Sequence, residues 1–185
     1  ISKSEIKQKL LNRIYNWQNK NNKKDIDFLI ATPPCQGISV ANHKKRSDEI
    51  KRNSLVTESI KIVSDIKPKV FVFENVRGFL KALCIDTDNK EREIGFAIEK
   101  NLASQYHIEN RVINFKDYGS NSSRTRTLII GTRKDIENLN PLMLFPDLRK
   151  EKTLKQVLGS LPRINKMGES DTNDPFHSFR KYSNH

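Results

Sequence analysis

Cys35 follows two prolines in the stretch TPPCQGIS, residues 32–39, of a chain that holds one other cysteine, Cys84. A thiolate is a strong nucleophile, but a free thiol with a pKa of roughly 8.5 needs a positive or hydrogen-bonding environment to react near neutral pH. Arg124 and Arg126 could supply it. Glu74, near the end of the run KVFVFENV (69–76), can serve as an acid or hydrogen-bond partner if its surroundings hold or share a proton. Taken singly, each residue has a plainer reading. A lone cysteine is usually a small core hydrophobe, a lone glutamate a solvated strand end, and an Arg-x-Arg pair one outward face of a strand. Neither cysteine belongs to a Cys-x-x-Cys pair or a Cys/His cluster, so no structural metal is expected, and two cysteines are too few for a disulfide framework.

The elements that must position these residues alternate. Ile6, Leu10, Ile14 and Trp17 recur at helical steps behind a capping-box spacing at Ser2 and Glu5, which predicts a helix over 3–18. IDFLIAT (26–32) is a nearly continuous apolar run, the mark of a strand buried on both faces, and it stops at Pro33. After a basic loop (41–52), Asn53 or Ser54 can cap a helix that presents Val56, Ile60 and Val63; Pro68 ends it, and KVFVFENV is a second buried strand. Residues 91–104 read as a helix, IENRVINF and RTLIIGT as two strands, and Thr153 with Gln156 as a capping box opening a short helix. Residues 165–185 carry little apolar periodicity. This order is that of an open α/β sheet, whose ligands bind beyond the carboxyl ends of the strands. Both PPCQ and ENV sit at such ends.

The 185 residues carry a formal net charge of +12, from 34 Lys and Arg against 22 Asp and Glu. Their positive residues recur in NKNNKK, HKKRSDEIKR and LRKEK rather than in one tail, which points to a polyanionic partner. No apolar run approaches the roughly 20 residues of a membrane span, and ISKSEIKQK is not a secretory signal, so a cytoplasmic location is expected.

Three stretches occur in one order: DFLIATPPCQGIS, RNSLVTESIKIVSDIKPKVFVFENVRGFL and VINFKDYGSNSSRTRTLIIGTR. Together they resemble the cytosine-5 DNA methyltransferases, over roughly residues 24–135 and more weakly to about 162. The resemblance implies a Rossmann-like, S-adenosylmethionine-dependent methyltransferase sheet, here its catalytic half, mixed and with an antiparallel edge hairpin. It implies that Cys35 attacks C6 of a flipped cytosine, so that C5 can take a methyl group, and that Glu74 holds the N3 and N4 edge of the base. Arg126 matches the arginine directed at O2, and Arg124 the one that orders the loop and the site. Pro33, Pro34 and Leu55 fall at positions on the cofactor side; Asn75 and Val76 fall at pocket-wall positions. Gln36 and Ser39 begin a loop that closes over DNA, and His43, Lys44, Lys45 and Arg46 within it suit phosphates, although a solvated loop tip has the same composition. One departure stands in YGSNSS: many relatives have Pro and Gln where this chain has Asn121 and Ser122.

The family's Phe-x-Gly-x-Gly cofactor turn and the acidic residues after it are not in the chain, nor are its late motifs. Residues 1–148 are therefore expected to be the catalytic part of a methyltransferase domain, and 149–185 a linker helix and the start of a target-recognition region. The strand at 26–32 is expected to expose an edge where the family's first strand normally pairs, so that this piece alone would be inactive and prone to associate. Double-stranded DNA is the expected partner, in a bacterial restriction-modification setting; a cognate restriction enzyme or a complementing methyltransferase segment are the candidate protein partners. Two other readings stay open: a transfer-RNA cytosine-5 methyltransferase and a catalytically inactive nucleic-acid-binding subunit.

Overall fold

The computed structural model describes residues 4–34, 50, 53–171, 173–174 and 176–182. Helix α1 (Ser4–Lys20) is followed by strand β1 (Phe28–Ala31), helix α2 (Ser54–Ile66) and strand β2 (Val70–Val76). A short hairpin, β3 (Leu83–Ile85) and β4 (Glu91–Glu93), leads into α3 (Ile94–Leu102); β5 (Tyr106–Asn114), β6 (Thr125–Arg133) and the five-residue α4 (Leu154–Leu158) complete the order. The main sheet runs β1-β2-β6-β5, with β1 parallel to β2 and the other two pairings antiparallel. The α/β class, the mixed sheet and the antiparallel edge pair agree with the sequence expectation.

One face of this sheet is closed by α2 and α3. Val56, Ile60 and Val63 from α2 and Ile94, Ile98 and Leu102 from α3 meet Phe71, Phe73 and Ile129 in one core, each at most 1 % exposed. Burying such side chains contributes about 1.5–3 kcal/mol apiece, which is what holds two short helices onto four strands. Gly131 belongs to the same face: a Cβ there would lie 2.0 Å from the Phe71 ring, so the glycine in RTLIIGT marks a close approach between β6 and β2. The opposite face is covered less fully, by Phe145 and Leu139 over Val70, Val72, Leu128 and Ile130. Phe28 and Ile30 lie on that side of β1, 51 % and 64 % exposed, whereas Leu29 and Ala31 pack inward. β1 also forms an edge of the sheet, pairing with β2 alone among the described residues.

Three local expectations change. The helix read over 91–104 begins only at Ile94, because residues 91–93 pair with 83–85 and the Ile94 amide donates to the Ala82 carbonyl at 2.8 Å. Asn53 stands at the N-cap of α2 but does not cap it; its buried side chain donates to the Leu83 carbonyl at 2.7 Å, and Thr57 donates to that of Ile85 at 2.6 Å. The hairpin thus outcompetes local capping by offering the side chain a buried acceptor. On α1, Leu11 is buried and Leu10 and Ile14 are half-buried, while Ile6 and Trp17 stay about half exposed, so among the described residues the predicted stripe is covered only in its middle.

At the hairpin turn, Asp86 is fully buried yet receives Arg92 at 2.8 Å, Lys100 at 2.9 Å and the Asn101 amide at 2.8 Å. Burial pushes its carboxyl up, but the hydrogen bonds from Lys100, the Thr87 amide and Asn101 outweigh it and hold the carboxyl below its ordinary range. Thr153 and Gln156 make the reciprocal capping box that their spacing predicts, and the described residues after α4 are irregular, with an isolated pairing of Ser170 and Ser178. Among the described residues no helix is long and apolar enough to cross a membrane.

Candidate active site

Parallel pairing brings the carboxyl ends of β1 and β2 to one edge of the sheet, and the antiparallel β6 starts there, with Val76 opposite Arg126. Strand side chains alternate between faces, so Val70, Val72, Glu74 and Val76 share one face with Ile130, Leu128 and Arg126. That is the face the helices leave uncovered. On it Arg126 Nε lies 2.9 Å from Glu74 Oε1, the side chains being 17 % and 31 % exposed. Arg126 Nη1 also donates to the Thr125 carbonyl at 2.9 Å, which aims the guanidinium plane along the strand end.

A hollow of about 190 Å³ opens beside this pair, lined by Thr32, Pro33, Pro34, Glu74, Asn75, Val76, Arg124 and Arg126. It is smaller than the roughly 300–1,000 Å³ of a drug-sized site, and so suits a single ring with polar edges. Asn75 points to the other face and is 4 % exposed. Its Nδ2 donates to the Pro33 carbonyl at 2.7 Å, and its Oδ1 accepts the Val76 amide at 2.9 Å, so one side chain sets the exit of β1 against the end of β2. The proline turn is thereby fixed two residues before Cys35. A larger hollow, about 720 Å³, lies near His107, Lys134 and Met143, at the other end of the strands and away from the Glu74–Arg126 pair.

The structure therefore brings together Pro33, Pro34, Glu74, Asn75, Val76, Arg124 and Arg126. Leu55, in the first turn of α2, is half-buried and does not line the hollow. Cys35, Gln36, Ser39, His43, Lys44, Lys45 and Arg46 lie outside the described residues. Cys84, the other cysteine, is buried in the core, where desolvation first of all pushes its thiol up; it is chemically quiet. Arg124 is exposed, at the end of the turn that follows β5. That turn is closed by the Phe115 amide donating to the Arg124 carbonyl at 3.0 Å and the Ser120 amide to that of Phe115 at 3.1 Å, with Gly119 at φ +85°. The Ser120 hydroxyl accepts the Ser122 amide at 3.2 Å, which braces the stretch that holds Asn121 and Ser122. Sequence reasoning missed Thr127, a wholly buried polar residue opposite Asn75; its only sequence signal is a hydroxyl at an inward position of RTRTLII. Among the described residues no group of three or more His, Cys, Asp and Glu could hold a metal ion.

Comparison with solved structures places the sheet in a known class. A structure described as a DNA modification methyltransferase encoded within an E. coli prophage superposes with a TM-score of 0.58 at 27 % identity, over 80 % of this chain and 38 % of that one. The sheet is thus part of a Rossmann-like methyltransferase fold. The model of the C-5 cytosine-specific DNA methylases matches residues 3–184, and the chain belongs to that family. Among curated relatives, the Type II methyltransferase M.XorII of Xanthomonas oryzae pv. oryzae is 35 % identical over 143 residues, 76 % of this chain and 31 % of the relative. The Type II methyltransferase M1.HgaI of Avibacterium volantium is 33 % identical over 161 residues, 85 % of this chain and 42 % of the relative. The chain spans less than half the length of these relatives.

Proposed function

We propose that the chain carries the base-binding and nucleophile-bearing strand ends of a DNA cytosine-5 methyltransferase. The observation that carries the reading is the Glu74–Arg126 pair, 2.9 Å apart on the open face of the sheet, beside a hollow whose wall includes the prolines that lead into Cys35. A carboxylate and a guanidinium side by side present an acceptor and a donor fork, the complement of a cytosine's amino, ring-nitrogen and carbonyl edge. Reaching a base inside a duplex requires that it be flipped out, and a hollow sized for one ring fits that requirement.

In this reading the Cys35 thiolate forms a bond to C6, and the C5–C6 electron pair moves onto C5. Arg126 holds O2 and Glu74 the N3 and N4 edge, so that charge building on the ring meets fixed partners. Once C5 carries the methyl group and has passed its proton to water, the C5–H electron pair restores the C5–C6 double bond, the sulfur–C6 bond breaks and the thiolate is returned. S-adenosylmethionine supplies the methyl group when bound; Pro33, Pro34 and Leu55, apolar groups at the carboxyl ends of β1 and the start of α2, would hold part of it. Arg124 orders the turn, and Gln36, Ser39, His43, Lys44, Lys45 and Arg46 contact DNA. Residues 149–185 serve as a linker helix and the start of the recognition region.

The partner is double-stranded DNA in the cytoplasm, within a restriction-modification system, as the Type II names of the relatives suggest. The exposed Phe28 and Ile30 and the edge of β1 left unpaired among the described residues support a complementing methyltransferase segment as a second partner. The test is intact-mass analysis, under denaturing conditions, of the full-length protein incubated with S-adenosylmethionine and mixed-sequence duplexes containing 5-fluorocytosine. The expected result is a DNA adduct that vanishes in Cys35→Ser. DNA binding without an adduct, or an adduct on transfer RNA alone, overturns the reading.

A further inference from the structure

Two polar side chains sit where the helix-covered face of the sheet reaches its carboxyl edge. Thr127 is wholly buried, and Asn75, its register partner across the β2–β6 pair, is 4 % exposed. Buried polar groups persist where they are bonded, and both are. The Thr127 hydroxyl lies 3.1 Å from the Val76 carbonyl and 3.2 Å from that of Arg77, the last residue of β2 and the one beyond it, while Asn75 holds the Pro33 carbonyl. Between them these side chains secure carbonyls at the exit of β1 and the end of β2, where ladder pairing runs out.

Alternation gives this arrangement its consequence. Thr127 directly follows Arg126, and Asn75 directly follows Glu74. The residues that bond inward are thus the immediate neighbours of the two that meet at 2.9 Å on the outward face. A valine would fill the Thr127 site with the same shape, so packing alone does not call for a hydroxyl.

We propose that Thr127 is a positioning residue for base binding: its hydroxyl clamps the end of β2 to the start of β6 and so fixes Glu74 and Arg126 relative to one another. The proposal rests on the reading of that pair as the base-binding groups, and its test separates the two. In the full-length protein, Thr127→Val and Thr127→Ser are compared with wild type by two measurements: the hydrogen-exchange rate of the Arg126 Nε proton by NMR, and the rate of adduct formation with 5-fluorocytosine DNA.

The expected result is faster exchange at Arg126 and at least a roughly tenfold slower adduct rate in Thr127→Val, with Thr127→Ser close to wild type in both, since small misplacements of reacting groups have large effects on rate. Wild-type exchange at Arg126 in Thr127→Val overturns the proposal. So does a Thr127→Ser variant that falls as far as Thr127→Val, because the site would then need the whole threonine side chain and not its hydroxyl in particular. Failure of Thr127→Val to fold also overturns it, by making the hydroxyl a requirement of the fold rather than of the site. If wild type forms no adduct, the functional reading fails, and the exchange rate at Arg126 alone decides the role of Thr127.

Discussion

Replacing Glu74 by glutamine separates a structural ion pair from a working one. The pair is short and its side chains keep 17 % and 31 % of their surface in solvent, so breaking it should lower stability by about 1–3 kcal/mol, between the ranges of exposed and buried pairs. Glutamine retains the shape and one acceptor but has no acidic proton to share with N3 of the base. If Glu74 faces the ring on which charge builds, losing that partner should slow adduct formation by about 10²–10³, as loss of one such stabilising group does elsewhere. Urea denaturation gives the first quantity and the time course of the 5-fluorocytosine adduct the second. Arg126→Gln should behave alike, and the double variant should lose less stability than the two single variants together, since the pair is broken only once. The reasoning is refuted if Glu74→Gln keeps a rate within a few-fold of wild type, or if its rate falls only in proportion to the fraction unfolded.

Other consequences concern the frame around the site. Gly131→Ala sets a Cβ 2.0 Å from the Phe71 ring and should destabilise the protein by about 1–3 kcal/mol or more, a loss that Phe71→Leu in the same chain should partly relieve in denaturant melts. Asp86 and Asp88 both have carboxyls held below the ordinary value of 3.8, Asp88 chiefly through its hydrogen bond from Arg92. A depressed folded-state value means that their stabilisation is complete above that pH and is lost as pH falls below it, so Asp86→Asn should flatten the acid limb of a stability-against-pH curve relative to wild type. Alkylation of the native protein at neutral pH, read by peptide mass, should leave Cys84 unmodified until the protein unfolds, because it is buried and its thiol is pushed up; rapid labelling of Cys84 would contradict that core placement.

Much of this was legible without coordinates. The strands β1, β2 and β6 each hold an apolar run ended by Pro, Gly or charge, and α2 shows its period in Val56, Ile60 and Val63. Such signals are local: a buried strand demands apolar residues and a helix on a sheet demands a stripe, although β1, apolar throughout, keeps Phe28 and Ile30 exposed on one of its faces. The residues PPC, ENV and RTR stand out only as an ordered set at strand ends, since singly each has a plainer reading.

What the chain alone could not reveal depends on contacts between distant segments. That residues 91–93 form a strand follows from pairing with 83–85, and that Asn53 abandons its cap follows from a carbonyl 30 residues away. Glu74 and Arg126 are 52 positions apart in sequence numbering, and only the β2–β6 register sets them on one face at 2.9 Å. Thr127 was invisible for the same reason: a threonine in a strand is ordinary until the register shows its hydroxyl enclosed with two carbonyls. Composition and period report each segment's own preferences for burial, while register and packing, which no single segment determines, decide which polar groups meet.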